Sequence, residues 1–499
     1  MFRQPRPVAN LSHRNDPRTF FRLIQHIIPR SHTPDLFRQD SPMPFVSPDQ
    51  TRAAFSRAMS DMYKQEVPLY GDLMNLVGEV NRQCLAAQPG LAESLERTGQ
   101  IQRLDAERHG AIRVGTATEL ATIARLFAVM GMQPVGYYDL TSAGVPVHST
   151  AFRAVHEQSL QVSPFRVFTS LLRLELIDDQ PLRELAEQLL GQRQIFTDRC
   201  LALIEKFERE GGLAQAESDD FVQQALETFR WHHDATVSAE QYQRLHDAHR
   251  LIADVVAFKG PHINHLTPRT LDIDAVQAQM PSKGITPKAV IEGPPPRRHA
   301  ILLRQTSFKA LQEQVAFTDQ QGDAGGSHTA RFGEIEQRGA ALTPAGRGLY
   351  DRLLNASRAA LAGFPSEGNA DEYMRRLGEQ FSEFPDDLAQ MREQRLAFFR
   401  YFVTGQPSQG ATTLAALIAN GAVRYEPLVY EDFLPVSAAG IFQSNLGDDA
   451  QIEYGVGSSQ EAFHQALGRA VLDELALYAE TERRSLEECA SRLGVAGLG

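Results

Sequence analysis

Three short segments, far apart in the chain, carry side chains able to hold a metal ion. They are His109-Gly110-Ala111-Ile112-Arg113-Val114, His262-Ile263-Asn264-His265-Leu266-Thr267 and Phe332-Gly333-Glu334-Ile335-Glu336-Gln337-Arg338. Two imidazoles and one carboxylate are the ligand set that holds non-haem Fe(II) on one face and leaves the opposite face open to substrate and oxygen. Each segment reads as a strand, so residue spacing decides which side chains share a face. Glu334 and Glu336 are two apart and point the same way; one can bind metal while the other orients an arginine or a ligand histidine. Glu334 is the preferred ligand, with Glu336 its rival. His262 and His265 are three apart and face opposite ways. His265 is preferred, because the Leu266-Thr267-Pro268 that follows resembles the start of a crossover. Arg113 lies four beyond His109 and shares its face, where a guanidinium can grip a substrate carboxylate with two parallel hydrogen bonds.

Each residue also has a plainer reading. A lone histidine on a strand is more often a hydrogen-bonded core residue, Glu334 and Glu336 beside Arg338 can form a solvated charge ladder, and Arg113 can be a structural ion-pair partner. The signal is the combination. Trp231-His232-His233-Asp234 resembles a metal tract, but adjacent histidines on a helix point in different directions, so it reads as surface or packing. His246 and His249 lack the nearby glutamate of a His-Glu-x-x-His site. His148, His156, His299 and His328 are assigned no chemistry. There is no glycine-rich phosphate loop, Gly-x-Ser-x-Gly elbow or dinucleotide-binding fingerprint.

The elements that must position these residues follow from the hydrophobic period. Ser47-Pro48-Asp49-Gln50 is a helix start, followed by apolar residues at Phe55, Met59, Met62 and Tyr63. A second helix is expected from Leu73 to Cys84. His109 to Thr116 reads as a strand, and Thr116-Ala117-Thr118-Glu119 caps a helix through Leu120, Ile123, Leu126 and Phe127. Strands are expected at Pro134 to Leu140 and Val145 to Val155, with Phe165 to Leu176 ambiguous between strand and helix. After a helical stretch to Phe258 the order recurs. His262 to Thr267 reads as a strand and Asp272 to Met280 as a helix. Ala289 to Glu292 reads as a strand edge, Ala300 to Phe308 and Phe332 to Gln337 as strands, and Gln320 to Ser327 as a flexible loop.

The fold class expected is α+β: a duplicated βαβββ half-barrel core with large helical insertions and helical N- and C-terminal additions. The layout is an extension over 1–42, a helical cover over 43–108, a first module over 109–178, a helical insertion over 179–258, a second module over 259–341 and a mostly helical region over 342–499. If each module curves into a half-barrel, His109, His265 and the glutamate point into one concavity, leaving vacant coordination positions as in a catalytic site. Tyr425 to Val436 is a further candidate pocket wall.

Bulk properties narrow the function. The 499 residues carry a net charge of −12, against a nucleic-acid surface, which needs clustered Lys and Arg. No apolar run approaches the roughly 20 residues that span a bilayer. Three scattered cysteines support neither a disulfide framework nor a cysteine zinc site. A cytoplasmic protein is expected; its oligomeric state is not legible.

The chain resembles the 2-oxoadipate dioxygenase/decarboxylase family, also called 2-hydroxyglutarate synthase, from about Met43 onward. The resemblance rests on His109-Gly110-Ala111-Ile112-Arg113, Asn264-His265-Leu266-Thr267-Pro268-Arg269, Arg331-Phe332-Gly333-Glu334-Ile335-Glu336-Gln337-Arg338-Gly339 and Pro435-Val436-Ser437. The family is similar in its core to vicinal-oxygen-chelate proteins, whose paired repeats agree with the periodicity. The resemblance implies Fe(II)- and O2-dependent conversion of 2-oxoadipate to 2-hydroxyglutarate and CO2, in lysine breakdown. It implies His109, His265 and Glu334 as metal ligands that also meet substrate, Arg113 as a carboxylate clamp, and Val436 and Ser437 as pocket contacts. No separate 2-oxoglutarate co-substrate is implied, because the oxo acid and the hydroxylated carbon belong to one molecule. Two alternatives are another metal-dependent enzyme of the same fold (isomerase, lyase or extradiol dioxygenase) and a metal-free protein that binds an acidic metabolite.

Overall fold

Ser47 opens the first helix, Pro48–Glu66, by accepting a hydrogen bond from Gln50 N while the Gln50 side chain reaches back to the cap. Its apolar face presents Phe55, Met59 and Tyr63, all fully buried. The Phe55 ring meets Phe165 and Phe229 edge-on, at centroid distances of 5.7 and 5.5 Å. The computed structural model describes residues 45–499 apart from 309–311, 321–324, 330, 360–367, 435–458 and 499. The extension over 1–42 lies outside the described residues.

A mixed sheet carries the site. Its strands are β1 (Arg108–Val114), β2 (Gln133–Asp139), β3 (Val147–Arg153), β4 (Arg166–Leu172) and β5 (Leu266–Pro268), in the order β2-β3-β4-β1-β5. β1 runs parallel to β4 and antiparallel to β5. The parallel pair needs a long crossover, which begins with the helix Ala117–Val129, capped by Thr116. The ambiguous segment Phe165 to Leu176 is thus a strand as far as Leu172.

Past β5 the pairing continues. Arg269 bridges in parallel to Glu336 on β9 (Glu334–Arg338), and β9 pairs antiparallel with β6 (Leu303–Ser307). Two shorter ribbons lie elsewhere: β7 (Glu313–Val315) with β8 (Gly326–His328), and β10 (Phe399–Val403) with β11 (Val423–Pro427).

β1, β3 and β4 are buried along their whole length because both faces of the sheet are covered. Ile112 and Val114 pack on one side with Phe55, Leu120 and Phe127. Ala111 packs on the other with Phe168 and Phe433, the face that His109 and Arg113 share by alternation. Gly110 sits at a close approach: a Cβ there would lie 2.4 Å from Ile263 Cδ1 and 3.1 Å from the His265 carbonyl oxygen, so Ile263 would have to move.

Three expectations need correction. His262 to Thr267 is not a continuous strand; only Leu266–Pro268 is. The preceding residues make single backbone bonds to separate segments, Ile263 N to Phe229 O and Asn264 N to Ala111 O. Ala289 to Glu292 is not a strand either, but makes one bridge, Glu292 to Gln305. The Pro294-Pro295-Pro296 run that follows has no N–H to extend a ladder. Finally, the loop Gln320 to Ser327 contributes Gly326 and Ser327 to β8, and its residues 321–324 lie outside the described residues.

Candidate metal and substrate site

His109 on β1 and Glu334 on β9 flank the short β5, and His265 immediately precedes it. Because β1 and β9 both pair with this middle segment, residues more than 200 positions apart meet. His109 Nε2 lies 3.1 Å from Glu334 Oε1, and His265 Nε2 lies 3.7 Å from the same oxygen. The two imidazole rings stand edge to face, centroids 5.4 Å apart. All three side chains are fully buried.

Glu334 is oriented from two directions. Thr267 Oγ1 donates to Glu334 Oε1 at 2.8 Å and Gln305 Nε2 donates to it at 3.0 Å. Among the described residues, Glu334 Oε2 and both ring nitrogens of His265 have no hydrogen-bond partner. Buried polar atoms are normally satisfied, so three orphans in one cluster call for a ligand. Burial pushes the His265 imidazole down to about 4, which keeps it neutral, the form that donates a lone pair to a metal. One ligand atom from each of the three residues falls within 4.8 Å of the others. This donor set fits a divalent transition metal such as Fe(II).

Glu336 does different work, although it faces the same way. Its Oε2 lies 2.9 Å from His109 Nδ1, while Arg338 Nε donates to Oε1 at 2.7 Å and Arg338 Nη2 to Oε2 at 3.0 Å. Burial opposes ionisation of this carboxyl, but Arg338 and His109 outweigh it and hold it at about 2. His109 thus has a carboxylate beside each ring nitrogen, Glu336 at Nδ1 and Glu334 at Nε2, and a carboxylate behind the ring is what orients metal-binding histidines.

Behind Glu336 lies a buried layer of alternating charge. Arg166 donates to Glu107 at 2.6 Å, to Glu431 at 2.5 Å and to Glu336 at 3.3 Å. Arg103 makes a two-pronged contact with Glu431, both arms at 2.9 Å. Arg153 grips Asp432 at 2.6 and 2.9 Å. The described part of the candidate pocket wall, 425–434, is thereby tied to the site, and Phe433 packs edge-on against His109, with centroids 4.9 Å apart.

Arg113 sits on the His109 face of β1, and its Nη1 donates to Asp254 Oδ2 at 2.6 Å. His262, the histidine not preferred, is equally buried but meets Asp254 instead, at 3.2 Å. His328 joins the same carboxylate at 2.9 Å. Val436 and Ser437 lie outside the described residues. Trp231-His232-His233-Asp234 follows the helix Gln215–Glu227 and does not continue it.

Sequence reasoning passed over Thr267, Gln305, Asp254 and the arginine layer. Thr267, two residues from His265, was within reach of a spacing argument. The arginines were not, because their partners lie up to 328 positions away.

An α+β chain with a mixed sheet and a buried cluster of two histidines and a glutamate defines a candidate metal-centred enzyme. The model of the 2-oxoadipate dioxygenase/decarboxylase family matches residues 55–445. The 2-oxoadipate dioxygenase/decarboxylase of Pseudomonas putida is 72% identical over 460 residues, 91% of this chain and 99% of its own. That of Escherichia coli is 57% identical, covering 89% and 98%. The crystal structure of the P. putida hydroxyglutarate synthase in complex with 2-oxoadipate superposes with a TM-score of 0.86 at 70% identity, over 91% of this chain and 100% of that one. The chain belongs to the 2-oxoadipate dioxygenase/decarboxylase family.

Proposed function

We propose that this protein is an Fe(II)-dependent dioxygenase that converts 2-oxoadipate and O2 to 2-hydroxyglutarate and CO2, acting in lysine catabolism in the cytoplasm. The observation that carries the reading is the convergence of His109, His265 and Glu334, with Glu334 Oε2 and the His265 nitrogens unsatisfied. The close relatives named for this reaction, and the relative crystallised with 2-oxoadipate, support the substrate. Among the described residues no helix is long and apolar enough to cross a membrane.

His109, His265 and Glu334 hold the metal, and Thr267 and Gln305 aim the carboxylate at it. Fe(II), when bound, supplies the electrons for O2 and a Lewis acid for the 2-oxo acid. Glu336 fixes the His109 tautomer. Arg113 clamps a substrate carboxylate, and Val436 and Ser437 add pocket contacts. Full burial of the ligands keeps bulk water from the reacting atoms.

The core is read as two βαβββ units, spanning 109–178 and 259–341. In its support, the order β2-β3-β4-β1 in the first half parallels the sequence of pairings from Glu292 through β6 and β9 to Arg269 in the second.

The test is anaerobic reconstitution with Fe(II), followed by simultaneous measurement of oxygen uptake and CO2 release on 2-oxoadipate. Equal amounts are expected. Turnover without oxygen uptake would mean an isomerase or lyase of the same fold. Binding of 2-oxoadipate that is indifferent to iron and to His265→Ala would mean a metal-free binding protein.

A further inference from the structure

A second buried cluster of two histidines and a carboxylate lies beside the first: Asp254, His262 and His328, whose ligand atoms also fall within 4.8 Å of one another. Its composition matches the metal cluster, but its surroundings do not. Asp254 spends one oxygen on Arg113, at 2.6 Å. The other takes His328 Nε2 in a hydrogen bond of 2.9 Å, while His262 Nε2 approaches it to 3.2 Å without hydrogen-bond geometry. A divalent cation placed here would sit against a guanidinium already bound to the same carboxylate. Among the described residues, Glu334 has no arginine within ion-pair distance.

The histidines are themselves held. Tyr242 Oη lies 2.7 Å from His328 Nδ1. Trp231 stacks parallel to the His328 ring at 6.0 Å and meets His262 edge-on at 4.6 Å. Arg331 covers Trp231, with its guanidinium carbon 5.0 Å from the ring. Asp254, His262 and His328 are 7, 3 and 5% exposed, so water competes little for these contacts. They come from the helix Arg250–Val256, the segment before β5, and β8. A carboxylate hydrogen-bonded to His328 and packed against His262, both from other segments, is restricted in orientation, and it holds in place the arm of the guanidinium that it binds.

We infer that Asp254, braced by His262 and His328, is the positioning residue that aims Arg113 at the substrate carboxylate. This rests on the reading of Arg113 as the carboxylate clamp. Asp254 acts through Arg113, so its loss should appear in substrate capture. A displacement of about 1 Å in a positioning group can cost on the order of 100-fold.

The experiment is a double-mutant cycle on the iron-loaded full chain, reading KM and kcat for 2-oxoadipate in the parent protein, Arg113→Ala, Asp254→Asn and the double variant. Asp254→Asn keeps the shape and removes the charge; Tyr242→Phe is a milder second variant, should the first fold poorly. The expected result is a KM raised about 10–100-fold in both single variants, with kcat changed far less, and a double variant no worse than Arg113→Ala alone. Tyr242→Phe should raise KM by a smaller factor. Arg113→Ala with a raised KM beside Asp254→Asn with an unchanged one overturns the inference and leaves the clamp standing. An unchanged KM in Arg113→Ala overturns the clamp itself. Metal analysis of the purified protein closes the third possibility: two equivalents of metal, one of them lost in Asp254→Asn, would make the cluster a second metal site and overturn the positioning role.

Discussion

The two clusters, His109/His265/Glu334 and Asp254/His262/His328, contain the same functional groups, and both are buried. They differ in who else reaches the carboxylate. Glu334 receives a hydroxyl and an amide on one oxygen and nothing on the other among the described residues, whereas Asp254 is claimed by a guanidinium. Residue type and proximity alone therefore do not tell the two clusters apart; the guanidinium on Asp254 and the open oxygen of Glu334 do. The same lesson holds within β9. Glu334 and Glu336 share a strand and a face, yet Arg338 and Arg166 saturate Glu336 and reduce it to a support for His109.

The comparison can be broken experimentally. The largest effect expected is in His109→Ala and His265→Ala, which should lose at least about 1000-fold in turnover and bind less than stoichiometric iron. His262→Ala should retain iron, which metal analysis of the two sets will check. If His262→Ala loses iron and His265→Ala keeps it, the clusters have been assigned the wrong way round.

Next is Arg166→Met in the charged layer. It leaves Glu107 and Glu431 short of a buried partner and should cost about 3–5 kcal/mol in urea unfolding. A change near zero would show that the layer rearranges without it. Glu336→Gln should weaken iron binding or turnover by about 10–100-fold, measured by iron titration and oxygen uptake. An effect as large as that of Glu334→Gln would make Glu336 a ligand after all.

The smallest effect concerns Glu474, beside Asp432 at the edge of the layer. Burial and then Asp432 raise its carboxyl from 4.5 to about 7, and Tyr138 Oη donates to it at 3.1 Å. The folded protein keeps this proton where the unfolded chain has released it, so its contribution to stability falls as pH rises from about 4.5 to 7. Glu474→Gln should therefore be more stable than the parent at pH 8, by about 1–3 kcal/mol, and little different at pH 4. Parallel urea curves at the two pH values will show it.

Much of the site was legible because the strand period is two. Even spacing put Arg113 with His109 and Glu336 with Glu334, and all four are found as that rule requires. His262 and His265 do turn to different clusters, as expected, but not by alternation, because 260–265 is not a strand. The role of His328 was illegible for another reason. Its partners Tyr242 and Asp254 lie 86 and 74 positions away on helices, and nothing local marks it.

By itself the amino-acid order determined most of the elements, the alternating faces of the strands and the three segments that carry the candidate ligands, because those depend on local sterics and on which side chains avoid water. Which carboxylate stays open and which is taken by arginine was decided only when β1, β5 and β9 came together. That outcome depends on distances between residues hundreds of positions apart, and charge pairing in a buried core acts over a few ångströms of space, whatever the separation along the chain.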